Sequence, residues 1–167
     1  MDKDLYSIAY ELGINYLNTV KFDNKSTVMF DIDDTLLYVL DKPNTFKPIK
    51  PMIRLLNECR RRGLIILIIT ARSNKFTAET KKDLKKYNIY YDYLYLRVSP
   101  KDDHQIFKSD IKKIFLEKHQ IKTIMSVGDN EIDIVGDYSG DFSIKLPNRT
   151  DPNLYQLSYG KLENIVP

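Results

Sequence analysis

Residues 64–69 read LIILII, six apolar side chains in succession, four of them isoleucine. An extended chain points successive side chains to opposite faces, so a strand made from this run is buried on both. A sheet open to water on one side cannot hold it. It calls for helices above and below, the arrangement in which strands alternate with helices and run mainly parallel. The run is also far too short to cross a bilayer, so no membrane partner is expected.

The rest of the chain fits that frame. Further strands are expected at TVMF (27–30), YDYLYL (91–96), KTIMSV (122–127) and a short FSIKL (142–146), with helices at Pro51–Arg62, ending at Gly63, at TAETKKDLKKY (77–87) and at Phe107–His119. Leu5, Ile8, Ala9, Leu12 and Tyr16 recur at helical spacing, which adds an amphipathic N-terminal helix over about residues 3–19, although Gly13 interrupts its signal. The expected fold is one Rossmann-like three-layer α/β/α domain over 1–167, with a mainly parallel sheet, the N-terminal helix and a core at about 27–148. Cys59 is the sole cysteine, so no internal disulfide can form, and Asp2, Asp4 and Glu11 break any apolar stretch that a signal peptide needs. A cytoplasmic location is the expectation. The net charge of +3 gives only a mild preference for anionic partners.

Ligands of such sheets gather beyond the carboxyl ends of the strands. The first strand runs into Asp31 and Asp33, the second into Thr70, Ala71 and Arg72, and the fourth into GDNEID with Asp129 and Asp133, while Lys108 opens the helix after the third. Asp31, Asp33 and Asp129 together form an acidic cluster that favours a hard cation such as Mg²⁺ among its oxygens. Mg²⁺ prefers a few carboxylates plus phosphate oxygens, and Thr70 and Lys108 offer a hydroxyl and an ammonium to a phosphoryl group. A carboxylate attacking phosphorus under that neutralising charge is covalent phosphoryl transfer through an aspartyl-phosphate. A calcium loop starting at Asp31 fails, since Leu36 and Lys42 stand where it wants glycine and glutamate. His104 and His119 lack zinc-ligand spacing, and Cys59 reads as a packing residue. Lys81, Lys82, Lys85 and Lys86 read as a solvated helix face, and Tyr90, Tyr91, Tyr93 and Tyr95 as strand packing.

FDIDDTLL, TARS, Lys108 and VGDNEID, in that order and each at a strand end, resemble the four motifs of the haloacid dehalogenase (HAD) superfamily of phosphohydrolases. With LYLR, FKSDIKK and IKLPN they are most similar to its acid phosphatase branch, within subfamily III; the resemblance covers roughly Thr27 to Asn148. It implies that Asp31 is the nucleophile and Asp33 the general acid and base. Asp31, Asp129 and the backbone carbonyl of Asp33 would hold the metal. Thr70 and the amide of Ala71 would bind the phosphoryl group and Lys108 would neutralise it; Asp133 would stand behind the ligands and order water around the cation. Arg72 is a candidate substrate contact. Two departures stand out. Ala71 occupies a position where glycine is expected, and the connections 37–51 and 72–97 leave no room for a cap domain, so an open, capless site is expected.

The resemblance thus implies a Mg²⁺-dependent phosphatase acting on small phosphorylated substrates such as nucleotides. A nucleic-acid 3′-phosphatase or a phosphoprotein phosphatase is the alternative, with nucleic acid not the favoured partner. A receiver-like phospho-aspartate switch, or an inactive binding relative, is the non-enzymatic one; repeated metal-dependent turnover separates an enzyme from both.

Overall fold

In the computed structural model the apolar run becomes a strand whose alternate residues enter two different cores. Residues 2–98, 104–148 and 158–160 are described. They form α1 (Asp2–Thr19), β1 (Ser26–Phe30), β2 (Leu37–Val39), β3 (Phe46–Pro48), α2 (Lys50–Arg61), β4 (Ile65–Ser73), α3 (Thr77–Lys86), β5 (Tyr93–Arg97), α4 (His104–His119), β6 (Lys122–Gly128), α5 (Glu131–Ile134), β7 (Phe142–Lys145) and β8 (Ser158–Gly160). Ile66 and Ile68 of β4 join Val28 and Phe30 of β1 in a large core with residues of α1, α2 and α3. Leu67 and Ile69 point the other way and meet Met29 and, from α4, Phe115. Three layers result, as the doubly apolar strand demands.

The main sheet has the order β5-β4-β1-β6-β7-β8. All its pairs are parallel except β7–β8, which is antiparallel. From β1 the chain moves out to β4 and β5, then returns to β6 on the other side of β1. That reversal opens a crevice at the carboxyl ends of β1 and β6, the usual place for a ligand in such a sheet.

Two features of the N-terminal region are explained by packing. Gly13 sits inside α1 because a Cβ there would lie 2.7 Å from Leu55 Cδ1 of α2. The Tyr16 hydroxyl donates to the Ile124 carbonyl at 3.0 Å, and its ring stacks on Phe142 with centroids 4.5 Å apart. Cys59 is fully buried in the larger core, and burial pushes its thiol up to about 12, which leaves it a packing residue.

Three expectations change. The connection after the first motif is not an ordinary loop: β2 and β3 pair as a separate antiparallel hairpin, with Leu37 opposite Pro48. α4 starts at His104, three residues before the predicted Phe107. β8 lies in the tail, where no element is expected from sequence. Residues 99–103, 149–157 and 161–167, which include most of that tail, lie outside the described residues.

Candidate active site

The end of β1 aims the first aspartate. Asp31 still belongs to the sheet through its amide, which donates to the Val127 carbonyl of β6 at 3.1 Å. The chain then turns sharply, with the amides of Leu36 and Leu37 both donating to the Ile32 carbonyl. Asp34 adopts φ 57°, and its carboxylate accepts from the Val39 amide at 3.1 Å, which launches the hairpin. Asp31 is therefore buried and Asp33 left at the rim, its side chain 36% exposed.

β4 supplies the facing wall. Its pairing with β5 slips after Thr70, so Ala71 and Arg72 fall in an irregular stretch between the partners Leu96 and Arg97. The Thr70 hydroxyl accepts from the Arg72 amide at 3.1 Å. Among the described residues Ala71 is not one of those with positive φ, so alanine fits where glycine is expected, without backbone strain.

The third wall follows β6. Gly128 is obligatory, because a Cβ there would collide with the Asp133 carboxylate. Asn130 and Asp133 form a reciprocal capping box over the one-turn α5, in which Asp133 accepts from the Asn130 amide at 3.1 Å. Lys108, 2% exposed on α4, donates to Asp31 at 2.8 Å and to the fully buried Asp133 through a shorter contact.

These walls enclose a pocket of about 220 Å³ lined by Asp31, Asp33, Thr70, Ala71, Lys108 and Asp129, with Asp34, Asn130, Ile132 and Asn148 completing it. Every predicted phosphate and metal residue reaches it. Asp133 does not line the pocket and stands behind Lys108. The carboxylates of Asp31, Asp129 and Asp133 bring oxygens within 4.8 Å of one another, all buried. Against Lys108 they leave a formal charge of −2 (three carboxylates, one ammonium). Burial and the charge of Asp133, only partly offset by Lys108, push Asp31 up to about 7; burial and Asp31 push Asp129 up to about 9. Burial opposes the charge on Lys108, yet Asp133 and Asp31 outweigh it and hold the ammonium above its ordinary value. One ammonium shared by crowded carboxylates stays protonated while the surplus negative charge attracts protons. A hard, oxygen-seeking divalent cation matches both this donor set and its unbalanced charge.

Arg72 lies elsewhere. Its guanidinium grips both oxygens of Asp33, at 2.7 and 2.9 Å, and reaches Asp83 of α3 at 3.0 Å, with its face 4.7 Å from the Phe46 ring centroid. The expected substrate contact is thus committed to Asp33. Together they border a second cavity of about 960 Å³ between the hairpin and α3, with Val39, Leu40, Phe46 and Phe76 among its lining. Asp33 lines both cavities. The expectation of an open rim is modified accordingly: the hairpin gives the site a side wall.

Sequence reasoning assigned no role to Asn130, Asn148 or Lys112. Asn148 donates to the Asn130 side chain at 2.8 Å, which donates to Asp129 at 3.3 Å, a relay that orients the carboxylate. Both asparagines fall in strand-end segments, GDNEID and KLPN, and that position is their signal in the sequence. Lys112 had none, being one lysine among several on α4.

Comparison with known proteins follows the same lines. The chain superposes on the class C acid phosphatase from Bacillus anthracis with a TM-score of 0.64 at 20% identity, over 81% of this chain and 65% of that one. Its tungstate-bound form gives 0.62 at 19%, again over 81% and 65%. A chain of the Pnkp1/Rnl/Hen1 complex gives 0.62 at 19% identity, over 73% of this chain and 46% of that one. The present chain therefore spans about half to two thirds of these solved chains, and at such identities the likeness is one of fold. No curated protein matches. No helix among the described residues is long and apolar enough to cross a membrane. A family model matches residues 38–152, more than half of the sequence, and its span holds Thr70, Lys108, Asp129 and Asp133 while beginning just after Asp31 and Asp33. The chain accordingly belongs to the acid phosphatases that make up subfamily IIIB of the HAD superfamily.

Proposed function

We propose that this chain hydrolyses phosphomonoesters with Mg²⁺ through a phospho-aspartate at Asp31, and that small organic phosphates such as nucleotides are its substrates. The observation that carries this reading is the Lys108 ammonium held between Asp31 and Asp133 on a pocket also lined by Thr70 and Ala71. That pocket is the size of a phosphoryl group with its cation. The larger cavity beside Asp33 leaves room for the organic part.

Asp31, Asp129 and the Asp33 carbonyl would hold the Mg²⁺, which supplies charge neutralisation to the phosphoryl oxygens. Asp31 attacks phosphorus; the new bond to its carboxylate oxygen forms as the bond to the leaving oxygen breaks, and Asp33 delivers a proton to that oxygen. Asp33 then takes a proton from water as the water oxygen attacks phosphorus, and the bond to Asp31 breaks to release phosphate. Thr70 and the Ala71 amide position the phosphoryl oxygens and Lys108 balances their charge. Arg72 keeps Asp33 at the border of the two cavities, where leaving group and water both pass.

The charged residues lining the larger cavity balance, with Asp33, Glu79 and Asp83 against Arg72, Lys82 and Lys86. A balanced lining suits a small organic leaving group better than a polyanion. A panel of p-nitrophenyl phosphate, nucleoside monophosphates and a 3′-phosphorylated oligonucleotide, each with Mg²⁺ and with chelator, tests the reading. Turnover of the small esters that chelator abolishes is the expected result. Equal turnover in chelator overturns the metal's part, and an oligonucleotide preferred by orders of magnitude with steep salt dependence replaces the substrate class.

A further inference from the structure

Lys112 is 1% exposed, and the steps above do not use it. It lies one helical turn beyond Lys108 on α4 and so faces the same way. Where Lys108 meets carboxylates, Lys112 meets only neutral oxygens: Ser126 Oγ at 3.2 Å, the Asp133 carbonyl at 2.7 Å and Ser139 Oγ at 2.8 Å. An ammonium has three N–H donors, and here all three are used. The acceptors belong to β6, to α5 and to the turn before β7. Ser126 Oγ in turn donates to the Ser139 carbonyl, and Ser139 Oγ to the Val135 carbonyl, at 2.8 and 2.7 Å.

The arc from Asp129 to Ser139 is held at its start by the Asn130–Asp133 capping box and by the Asn148 bond to Asn130, and in its middle by the buried Ile134; Lys112 adds bonds at Asp133 and at Ser139. α5 is a single turn, too short to be stable by itself. Past α5 the chain turns at Gly136, whose φ is 99° and whose missing side chain leaves room for Ser109 of α4, and reaches Ser139, bonded to Lys112. Asp133 is fixed at its carboxylate by Lys108 and the Asn130 amide and at its carbonyl by Lys112.

We propose that Lys112 is a positioning residue: its buried ammonium pins the arc 129–139 so that Asp129 and Asp133 are presented to Asp31 and Lys108. Burying a lysine among neutral oxygens is costly even with its donors satisfied, and an apolar side chain would pack there without that cost. The proposal rests on the phosphatase reading for its effect on turnover, and on hydrogen bonds alone for its effect on the arc.

Lys112→Met keeps an unbranched side chain one atom shorter and removes the donors. With the full chain and Mg²⁺, kcat for p-nitrophenyl phosphate is expected to fall roughly 10- to 100-fold, the range found when groups supporting metal ligands are lost, with KM nearly unchanged. Amide hydrogen exchange without metal should quicken across 129–139 and stay as in the wild type across β1 and β4. A purely structural role would lower the melting temperature but leave kcat per folded molecule and the split between kcat and KM untouched. If Lys112→Met fails to fold, Ser139→Ala removes one of the three acceptors and should move kcat and exchange in the same direction by less. Wild-type kcat and wild-type exchange of the arc in a folded variant overturn the proposal. If the wild-type chain turns over no phosphomonoester, the functional reading has failed, and the exchange comparison alone still decides whether Lys112 pins the arc.

Discussion

The floor of the site and its outer wall solve opposite problems. On the floor, Asp31, Asp129 and Asp133 are buried around Lys108, and two of the three carboxylates have strongly raised proton affinity. On the wall, Asp33 remains partly solvated and is held by the Arg72 fork. The floor gathers surplus negative charge that protons or a metal cation relieve; the wall keeps one carboxylate aimed and neutralised while it stays in reach of water. On the proposed reading the buried acids hold the metal and the phosphoryl group, and the exposed acid moves protons. The same residue type serves both because β1 ends between them.

The comparison breaks first if the floor is not where covalent chemistry happens. Asp31→Asn should lower kcat by at least about a thousandfold. The melting temperature without metal at pH 7 should hold or rise, because a crowded buried charge is gone. Asp33→Asn should act differently, slowing steady-state turnover by about 10²- to 10⁴-fold. An initial burst of p-nitrophenol should persist, since a good leaving group needs no acid while phospho-enzyme hydrolysis needs a base. A burst of equal rate with no steady-state loss would remove the division between floor and wall.

A smaller effect sharpens the wall. Arg72→Lys keeps the charge and loses the fork that bonds both Asp33 and Asp83, so kcat should drop roughly 10- to 100-fold with KM little changed. A rise in KM alone would return Arg72 to the role of substrate contact.

The smallest expected effect is on stability. Asp31 and Asp129 hold protons in the folded chain up to about 7 and about 9, whereas unfolded aspartates release them near pH 4. Between these values the folded state binds more protons than the unfolded one, so without metal the melting temperature falls as pH rises from 5 to 7. Above 7 the trend flattens. Burial lowers Lys112 to about 7, against the ordinary lysine value of about 10.4, which adds the opposite slope there. Mg²⁺ should raise the melting temperature more at pH 7 than at pH 5, because at the lower pH it must displace protons. Thermal scans at the two pH values with and without Mg²⁺ check both signs.

The floor was far more legible in the sequence than the wall. Apolar runs such as LIILII announce strands buried on both faces, and a carboxylate just past such a run has few structural reasons to be there. Asp31 and Asp129 were readable for that reason, and Thr70 by its place at the end of LIILII. The hairpin was not: β2 and β3 have three residues each, too short for alternation to stand out, and β3 ends on Pro48. Without the hairpin there is no Phe46 beneath Arg72 and no cavity beside Asp33, so the aim of Arg72 could not be foreseen. Lys112 was hidden in another way. Its neighbours Lys113 and Lys118 share its helix, and only the fold reveals which lysine of α4 faces inward.

The position of α1 bears on how this chain should be cut or fused. The family match starts at residue 38, past both β1 and the helix. Yet Tyr6, Ala9 and Leu17 belong to the larger core, Gly13 admits Leu55, and Tyr16 is bonded to β6. The matched span and what folds as a unit have different borders here. A fragment trimmed to the matched span would lose the middle strand of its sheet and, with it, Asp31 and Asp33. One trimmed only at Thr27 would keep every residue of the pocket and still bare the flank of α2 and β7, leaving an intact set of reactive groups on a body prone to aggregate. Fusion partners and affinity handles belong ahead of Asp2, with α1 left whole.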